Sequence, residues 1–161
     1  MKFHRFHLWG LSAALFAFIG DQWSKAAILK ANEAGLLPIN ITSFFDIVMA
    51  WNPGISFSFL SNSGQIGRYA LILLSIILSF IFFAWMIKSM NFLFILAMGF
   101  IIGGALGNAI DRLIHGQVVD FLYFHYQKYS FPVFNLADCA ITLGGFLYIY
   151  VLIFAKDNNL S

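Results

Sequence analysis

Two aspartates stand beside the ends of long apolar segments in a chain with only seven acidic side chains. Asp120 follows the third apolar segment, and Asp138 lies at the start of the fourth. A charged side chain in hydrocarbon costs at least about 2.5 kcal/mol, so ionisable residues at such positions are usually retained for function. The two carboxylates are therefore the first candidates for chemistry, and they indicate a membrane enzyme or a carrier.

Two carboxylates in contact in a poorly solvated site cannot both ionise easily, so they share a proton and titrate separately. One can then act as a base on water while the other, protonated, polarises a carbonyl, as in aspartic proteases. A structural role is also open to Asp138. If Asn135 is the N-cap of the last helix, Asp138 occupies the third helical position, where a carboxylate is favoured by free amides and the helix dipole. Asp120 has no comparable structural role.

Other kinds of active site have weaker support in the sequence. His115, Asp120 and His125 could form a metal cluster, but loop histidines at a membrane surface are more often interfacial. No His-Glu-x-x-His zinc motif is present. The single cysteine, Cys139, excludes an intrachain disulfide framework and a thiol oxidoreductase, which needs a pair. We therefore expect neither a metal nor another cofactor.

The composition predicts the elements that position these side chains. Of the 161 residues, 61% are hydrophobic and 10% are charged, which is more apolar surface than a soluble domain of this size can bury. A helix needs about 20 residues to cross a bilayer core, and the apolar runs lack the alternation of barrel strands. The prediction is an all-α membrane protein, a single domain over residues 1–161 with four transmembrane helices at about 8–29, 69–87, 92–110 and 136–155.

The connections between these helices are unequal. Residues 88–91 alone join the second and third helices, whereas long loops at about 31–67 and 114–135 lie on the opposite face, where function is expected. Residues 39–52 are rich in β-branched and aromatic types, and a Pro53-Gly54 turn and residues 55–60 follow. This pattern predicts a small β-rich extracytoplasmic cap. Cations near both termini and in the short turn place the termini in the cytoplasm.

Polar residues also recur within the predicted helices. Asp21 and Lys25 are four residues apart and share a helix face, so we expect a buried structural ion pair in which Asp21→Ala would strand the lysine. In the third helix, small and polar residues recur at three- and four-residue spacing. The small residues permit close helix contact, whereas an amide and a guanidinium exceed what packing requires. The residues of this pattern are Gly104, Gly107, Asn108, Asp111 and Arg112.

Five blocks, in order and spread over nearly the whole chain, closely resemble the bacterial lipoprotein signal peptidase family, also called signal peptidase II. The blocks are Asp21-Gln-Trp-Ser-Lys25, Asn52-Pro-Gly-Ile-Ser-Phe57, Gly104-Ala-Leu-Gly-Asn-Ala-Ile-Asp-Arg112, Val118-Val-Asp-Phe121 and Phe134-Asn-Leu-Ala-Asp138. The resemblance implies that Asp120 and Asp138 are the catalytic dyad. It further implies that the supporting or substrate-binding residues are Asn108, Arg112, Asn135, Asn52, Gly54, Asp21 and Lys25.

The resemblance also implies a substrate and a location. The family consists of aspartic endopeptidases of the bacterial plasma (inner) membrane, with the active site near the extracytoplasmic surface. They remove the signal peptide from prolipoproteins by cleaving before a cysteine that carries diacylglycerol. The expected partners are these substrates and membrane lipids, and we expect a monomer. Nucleic acid is not an expected partner, because the lysines and arginines are scattered and form no basic stripe.

Two other functions compete with this one. In a proton-coupled membrane carrier, acidic residues would form a relay across the membrane. These acids cluster toward one face, however, and the second helix has none. In an assembly or anchoring protein, the polar residues would only hold helices together. Cleavage of a lipidated prolipoprotein by the purified protein would distinguish an enzyme from a carrier and from an assembly protein. The acids of the proposed relay are Asp21, Asp111, Asp120 and Asp138.

Overall fold

The computed structural model describes residues 5–54 and 64–154, and this part of the chain forms four long helices and one four-stranded sheet. The helices are α1 (Arg5–Glu33), α2 (Gly64–Met86), α3 (Phe92–His115) and α4 (Leu136–Phe154). The strands are β1 (Ile39–Thr42), β2 (Phe45–Asn52), β3 (Val118–Tyr126) and β4 (Tyr129–Ser130).

Three helices of the described chain are long and apolar enough to cross a bilayer, namely Gln65–Met86, Phe92–His115 and Leu136–Phe154. A membrane-embedded, mostly helical protein was predicted, and this much is confirmed. The first predicted span is not among the three. It lies in α1, which has 29 residues and contains the charged residues Asp21, Lys25 and Lys30.

Glycines allow α3 to pack closely against both α1 and α4. A Cβ atom at Gly103 would overlap the carbonyl oxygen of Ala14 in α1. A Cβ atom at Gly104 would likewise overlap the carbonyl oxygen of Ala137 in α4. The small residues noted in the sequence therefore bring three backbones together, and α3 occupies the centre of the bundle.

Both ends of α3 are capped. The Asn91 side chain accepts a hydrogen bond from the backbone N–H of Phe94 at 3.0 Å, which satisfies a donor that the first turn leaves free. At the other end, Gly116 has φ 82° and donates its N–H to the Arg112 carbonyl, the usual left-handed termination. The helix therefore continues five residues past its predicted end at 110, and its last turn reaches the sheet.

The sheet has the strand order β1-β2-β3-β4, with all neighbours antiparallel. The sheet predicted at residues 39–52 is confirmed, whereas residues 55–60 lie outside the described residues. The connection predicted at about 114–135 supplies the other two strands, β3 and β4. The first four residues of β3 are all buried, so the strand lacks the in-out alternation by which a half-buried strand is recognised.

The pairing of β2 with β3 brings the side chains of Asn52 and Asp120 close together. Ala50 is opposite Asp120, and Asn52 is opposite Val118. Side chains two residues apart on a strand share a face, so Asn52 is the diagonal neighbour of Asp120, within side-chain reach. The register of β2 shifts between Ile47 and Ala50, and this shift brings Asn52 opposite Val118. Such β-bulges are common next to active sites, where they redirect side chains.

Candidate active site

Asp120 is a buried carboxylate of β3, with 2% of its surface exposed. The Asn135 side-chain amide donates to its Oδ1 at 2.6 Å, and the Asn52 amide donates to its Oδ2 at 2.9 Å. Burial raises the pKa of Asp120 to about 6; the Asn52 hydrogen bond opposes this rise and the negative charge of Asp138 adds to it. Asp120 can therefore exchange a proton close to neutral pH, as a general acid or base must.

Asp138 lies in the first turn of α4 and is only partly buried. Its Oδ1 accepts from the Asn108 side-chain amide at 2.8 Å, and its Oδ2 accepts from the Asn135 backbone N–H at 3.2 Å. Its own N–H donates to Asn135 Oδ1 at 3.0 Å. This reciprocal pattern is a capping box, so the predicted N-cap role of Asn135 is confirmed. The cap also holds the Asp138 carboxylate in one orientation.

Asn135 links the two aspartates. It is completely buried, and its side-chain amide bonds to Asp120 while its backbone N–H and its Oδ1 bond to Asp138. The same amide lies 3.1 Å from Asn108 Oδ1. Both aspartates predicted from the sequence are therefore hydrogen-bonded to Asn135. Asp138 also accepts a hydrogen bond from Asn108.

A buried cluster of charges lies beside this arrangement. Lys25 Nζ is 2.7 Å from Asp21 Oδ2 and 3.0 Å from Asp111 Oδ2. We call Asp21, Lys25 and Asp111 the ion triad. The Lys25 ammonium also donates to Asn108 Oδ1 at 3.0 Å, and the other end of that amide donates to Asp138. The predicted Asp21–Lys25 pair is present, but it is part of a larger group that reaches Asp138 through Asn108.

The ion triad also positions the backbone at both aspartates. Asp21 Oδ1 accepts from the N–H of Ala137 at 2.8 Å, and Asp111 Oδ2 accepts from the N–H of Val119 at 3.0 Å. Ala137 and Val119 each precede one of the two aspartates. Gly107 leaves room for the first contact, since a Cβ atom there would lie 2.6 Å from Asp21 Oδ2. Asp21 of α1 therefore holds the start of α4, and Asp111 of α3 holds the start of β3.

The turn after β2 directs the amide of Asn52. Asn52 Oδ1 accepts from the backbone N–H of Gly54 at 2.8 Å, and Gly54 has φ 89°, a conformation that favours glycine. With its oxygen held by this turn, the Asn52 amide group is free to donate to Asp120. The turn therefore explains why Asn52 and Gly54 stand two residues apart in the same sequence block.

Arg112 is placed near the two aspartates without bonding to them. Its Nη1 donates to the Asn108 carbonyl at 3.1 Å, and its charge interacts with both Asp120 and Asp138. Within residues 5–54 and 64–154, its buried Nε has no hydrogen-bond partner. A buried donor without a partner is costly, so the position of the Arg112 guanidinium beside the two aspartates is held at some cost in stability.

The sequence did not single out Gln22. Its side-chain amide donates to Asp111 Oδ1 at 2.9 Å and to the Gly107 carbonyl at 3.2 Å. It therefore fastens α1 to α3 beside the ion triad. Its place between Asp21 and Lys25 in the first block was the available signal, but an uncharged amide is equally common on the solvent-exposed face of a helix.

The proposed metal cluster of His115, Asp120 and His125 is not assembled. The His115 ring packs against Trp51 with 5.5 Å between ring centroids, and His125 Nε2 lies 2.8 Å from Asp46 Oδ2. No group of three or more histidine, cysteine, aspartate or glutamate residues in the described ranges could hold a metal ion. Each histidine is instead engaged by a neighbour within the sheet or at its edge.

Known proteins are similar to this chain over most of its length. The family model described as signal peptidase (SPase) II matches residues 13–154. A lipoprotein signal peptidase of Cellvibrio japonicus is 40% identical over 159 residues, covering 98% of this chain and 92% of that protein. One of Burkholderia multivorans is 43% identical over 142 residues, covering 87% and 84%.

Two solved structures are also similar to this chain in fold. A bacterial membrane enzyme solved at 1.9 Å is similar with a TM-score of 0.76 and 31% identity, covering 91% of this chain and 94% of that one. A second bacterial membrane enzyme, solved at 2.3 Å, has a TM-score of 0.75 and 27% identity, covering 94% of each chain.

Proposed function

Because this chain belongs to the signal peptidase II family and is a membrane protease that removes signal peptides from prolipoproteins, we propose that Asp120 and Asp138 form its catalytic dyad. The observation that carries the proposal is the bonding of both carboxylates to Asn135. The raised pKa of Asp120, about 6, supports proton exchange at this carboxyl close to neutral pH.

In the proposed reaction, Asp138 is the base and Asp120 is the acid. Asp138 takes a proton from water as the water oxygen attacks the scissile carbonyl carbon, and protonated Asp120 donates a hydrogen bond to the carbonyl oxygen. The C–N bond then breaks, and the proton on Asp138 passes to the leaving amine. The dyad ends with one proton, as it began. The positive charge of Arg112, which interacts with both aspartates, supports a role in binding a backbone carbonyl of the substrate.

The proposed substrate is a prolipoprotein whose cysteine carries diacylglycerol, cleaved just before that cysteine. Asp138 is partly exposed on α4 beside a membrane-facing helix surface, so a substrate held in the bilayer can approach it laterally. The direct test is cleavage by the purified protein in detergent, with the lipidated and the unlipidated form of one prolipoprotein. We expect cleavage of the lipidated form at the bond before the cysteine. Transport of protons without cleavage would favour the carrier. Membership of the signal peptidase II family does not favour it.

The proposed topology has four spans in the bacterial inner membrane, with both termini cytoplasmic and the sheet outside. The outward face of α1 supports its role as the first span, because Phe16 and Trp23 are each 75% exposed. Its charged residues Asp21 and Lys25 face inward and neutralise each other, which removes most of the cost of placing them in a membrane.

Cysteine accessibility tests this topology in a Cys139→Ala background. Ser43→Cys in the turn between β1 and β2 should react with a membrane-impermeant thiol reagent in intact spheroplasts. Lys88→Cys, in the short turn between α2 and α3, should react only after permeabilisation. Both positions are exposed, so they form a matched pair. The opposite labelling pattern would place the dyad on the cytoplasmic side and contradict the proposal.

The pH dependence of kcat/KM tests the assignment of Asp120 as the acid. Because burial raises its pKa to about 6, kcat/KM of the free enzyme should fall as pH rises through about 6 and the proton is lost. The Asn52 hydrogen bond stabilises the charged form, so Asn52→Ala should raise the pKa and move this limb to higher pH.

Asn40→Ala is the matched control for this experiment. Asn40 donates to Asp46 Oδ1 at 2.9 Å in the same sheet, so the change removes a similar bond without touching the dyad. The limb should stay where it is in the wild type. If Asn52→Ala leaves the limb in place or moves it to lower pH, Asp120 is not the group that titrates.

A further inference from the structure

The beginning of helix α2 contacts two segments that lead to the active site. Among the described residues, α2 supplies none of the side chains that bond to Asp120 or Asp138. Two of its residues nevertheless contact the turn after Asn52 and the turn before β3. These residues are Arg68 and Leu71, which lie three positions apart and therefore share a face of the helix.

Arg68 holds the turn between α3 and β3. Its Nη2 donates to the carbonyl oxygen of Leu113 at 2.7 Å, and this carbonyl belongs to the last turn of α3, where the helix itself supplies no partner. A cation is also favoured at this end of a helix by the helix dipole. The guanidinium lies over Gly116, where a Cβ atom would be 3.5 Å from Nη1. Because β3 begins two residues later, at Val118, Arg68 fastens α2 to the segment from which the strand starts.

Leu71 supports the turn after β2. A Cβ atom at Gly54 would lie only 2.7 Å from Leu71 Cδ1, so the backbone of this turn packs directly on the leucine side chain. The Gly54 N–H donates to Asn52 Oδ1 at 2.8 Å, and the amide group of the same side chain donates to Asp120. A shift of the Gly54 turn would therefore move the Asn52 amide away from the carboxylate.

The two contacts act on one pair of strands. Asn52 at the end of β2 is opposite Val118 at the start of β3, so α2 contacts the chain just after one strand and just before the other. We propose that Arg68 and Leu71 are positioning residues that keep the Asn52 amide within hydrogen-bonding distance of Asp120. Their effect on cleavage rests on the proposed function, in which Asp120 is the acid.

The titration of Asp120 reports its hydrogen bond with Asn52. A hydrogen bond to the charged form of a carboxyl lowers its pKa, so loss of this bond raises the pKa of Asp120 above about 6. The NMR resonance of the Asp120 carboxyl carbon, identified by its absence in Asp120→Asn, follows the titration in detergent without turnover. Arg68→Met and Leu71→Ala should each raise the midpoint by about 0.5 pH unit. Leu71→Ala removes no charge, so its shift cannot come from loss of a cation.

Two control variants separate position from charge and from general packing. Arg68→Lys keeps a cation that can donate to Leu113, so it should titrate like the wild type. Leu73→Ala shortens a 58% exposed leucine of the same helix that has no atom within 4 Å of a Cβ placed at Gly54, and it should cause no shift. All these variants leave in place the charged groups that face Asp120, which are Lys25, Arg112 and Asp138.

A double variant decides whether the two residues act through Asn52. In an Asn52→Ala background the hydrogen bond is already absent, so adding Arg68→Met should shift the Asp120 midpoint no further. If Arg68→Met does not fold, adding Leu71→Ala makes the same test. A further rise as large as in the single variant would show action independent of Asn52 and overturn the proposal. Unchanged midpoints in the single variants would overturn it as well.

The titration and the cleavage assay separate this inference from the proposed function. If the midpoints shift as expected but the wild type cleaves no lipidated prolipoprotein, the proposed function is wrong and the positioning role stands. If the wild type cleaves, the fall of kcat/KM should move to higher pH in Arg68→Met and in Leu71→Ala by the same amount as the midpoint. A fall that moves in Asn52→Ala but in neither α2 variant would reject the positioning role and leave the dyad in place.

Discussion

Asp120→Asn and Asp138→Asn should each reduce cleavage of a lipidated prolipoprotein by at least about a thousandfold, within the range for removing a positioned acid or base. Asparagine keeps the shape and volume of aspartate but cannot exchange the proton. The double variant should be scarcely worse than either single one, because groups that act as a unit are not additive. Rates under single-turnover conditions in detergent measure this directly.

Asp46→Asn is the matched control for the dyad variants. Asp46 is a buried carboxylate of the same sheet, bonded to Asn40 and His125 and not to the dyad. This variant should keep most of the activity. Binding of a lipidated substrate and the thermal transition should survive in the dyad variants, since Asn135 can still bond to an amide oxygen at either position. A chelator should leave the wild type active.

Substantial cleavage by Asp120→Asn or by Asp138→Asn would rule out the aspartic mechanism. Loss of activity on chelation that zinc restores would do the same and would revive a metal site. An equal loss in Asp46→Asn would show that the dyad substitutions act through folding of the sheet.

Lys25→Met should be the most destabilising change in the ion triad, costing about 3–5 kcal/mol as expected when one member of a buried charged group is removed. It leaves Asp21 and Asp111 facing each other without the ammonium between them. Asp21→Asn should cost less, roughly 1–3 kcal/mol, because Lys25 keeps Asp111 and the new amide oxygen can still accept from Ala137. Thermal and denaturant unfolding in detergent measure both.

Lys30→Met controls for loss of a lysine on the same helix. Lys30 is exposed, so this change should leave stability within about 0.5 kcal/mol. A Lys25→Met protein as stable as wild type, able to bind substrate but unable to cleave it, would instead assign Lys25 to the chemistry. Such a result would contradict a structural ion triad.

The stability prediction differs from the one that the sequence alone supports. Four-residue spacing pairs Asp21 with Lys25 and suggests that removing Asp21 strands the lysine. Asp111 is the reason this expectation changes. It approaches Lys25 from another helix, and no periodicity within α1 reports a partner in α3.

Local sequence determined much of this protein. Long apolar runs predict membrane helices because the bilayer thickness sets a length that can be counted along the chain. The N-cap at Asn135 and the third helical position of Asp138 were also readable, because capping involves residues three apart. The same holds for the sheet at residues 39–52. The two aspartates stood out because charge is rare in this composition.

Tertiary structure alone decided how these parts meet. Asn108 accepts a hydrogen bond from Lys25, which is 83 residues away in the sequence. Asp21 accepts one from the N–H of Ala137, which is 116 residues away. Such contacts depend on how three backbones pack around the glycines of α3, which a linear pattern does not report. The entry of β3 into the sheet was hidden for a related reason, because its fully buried start shows no alternation. The sequence therefore determined which residues carry charge in this membrane protein, and the packing of α1, α3 and α4 with the sheet decided which of those charges share a site.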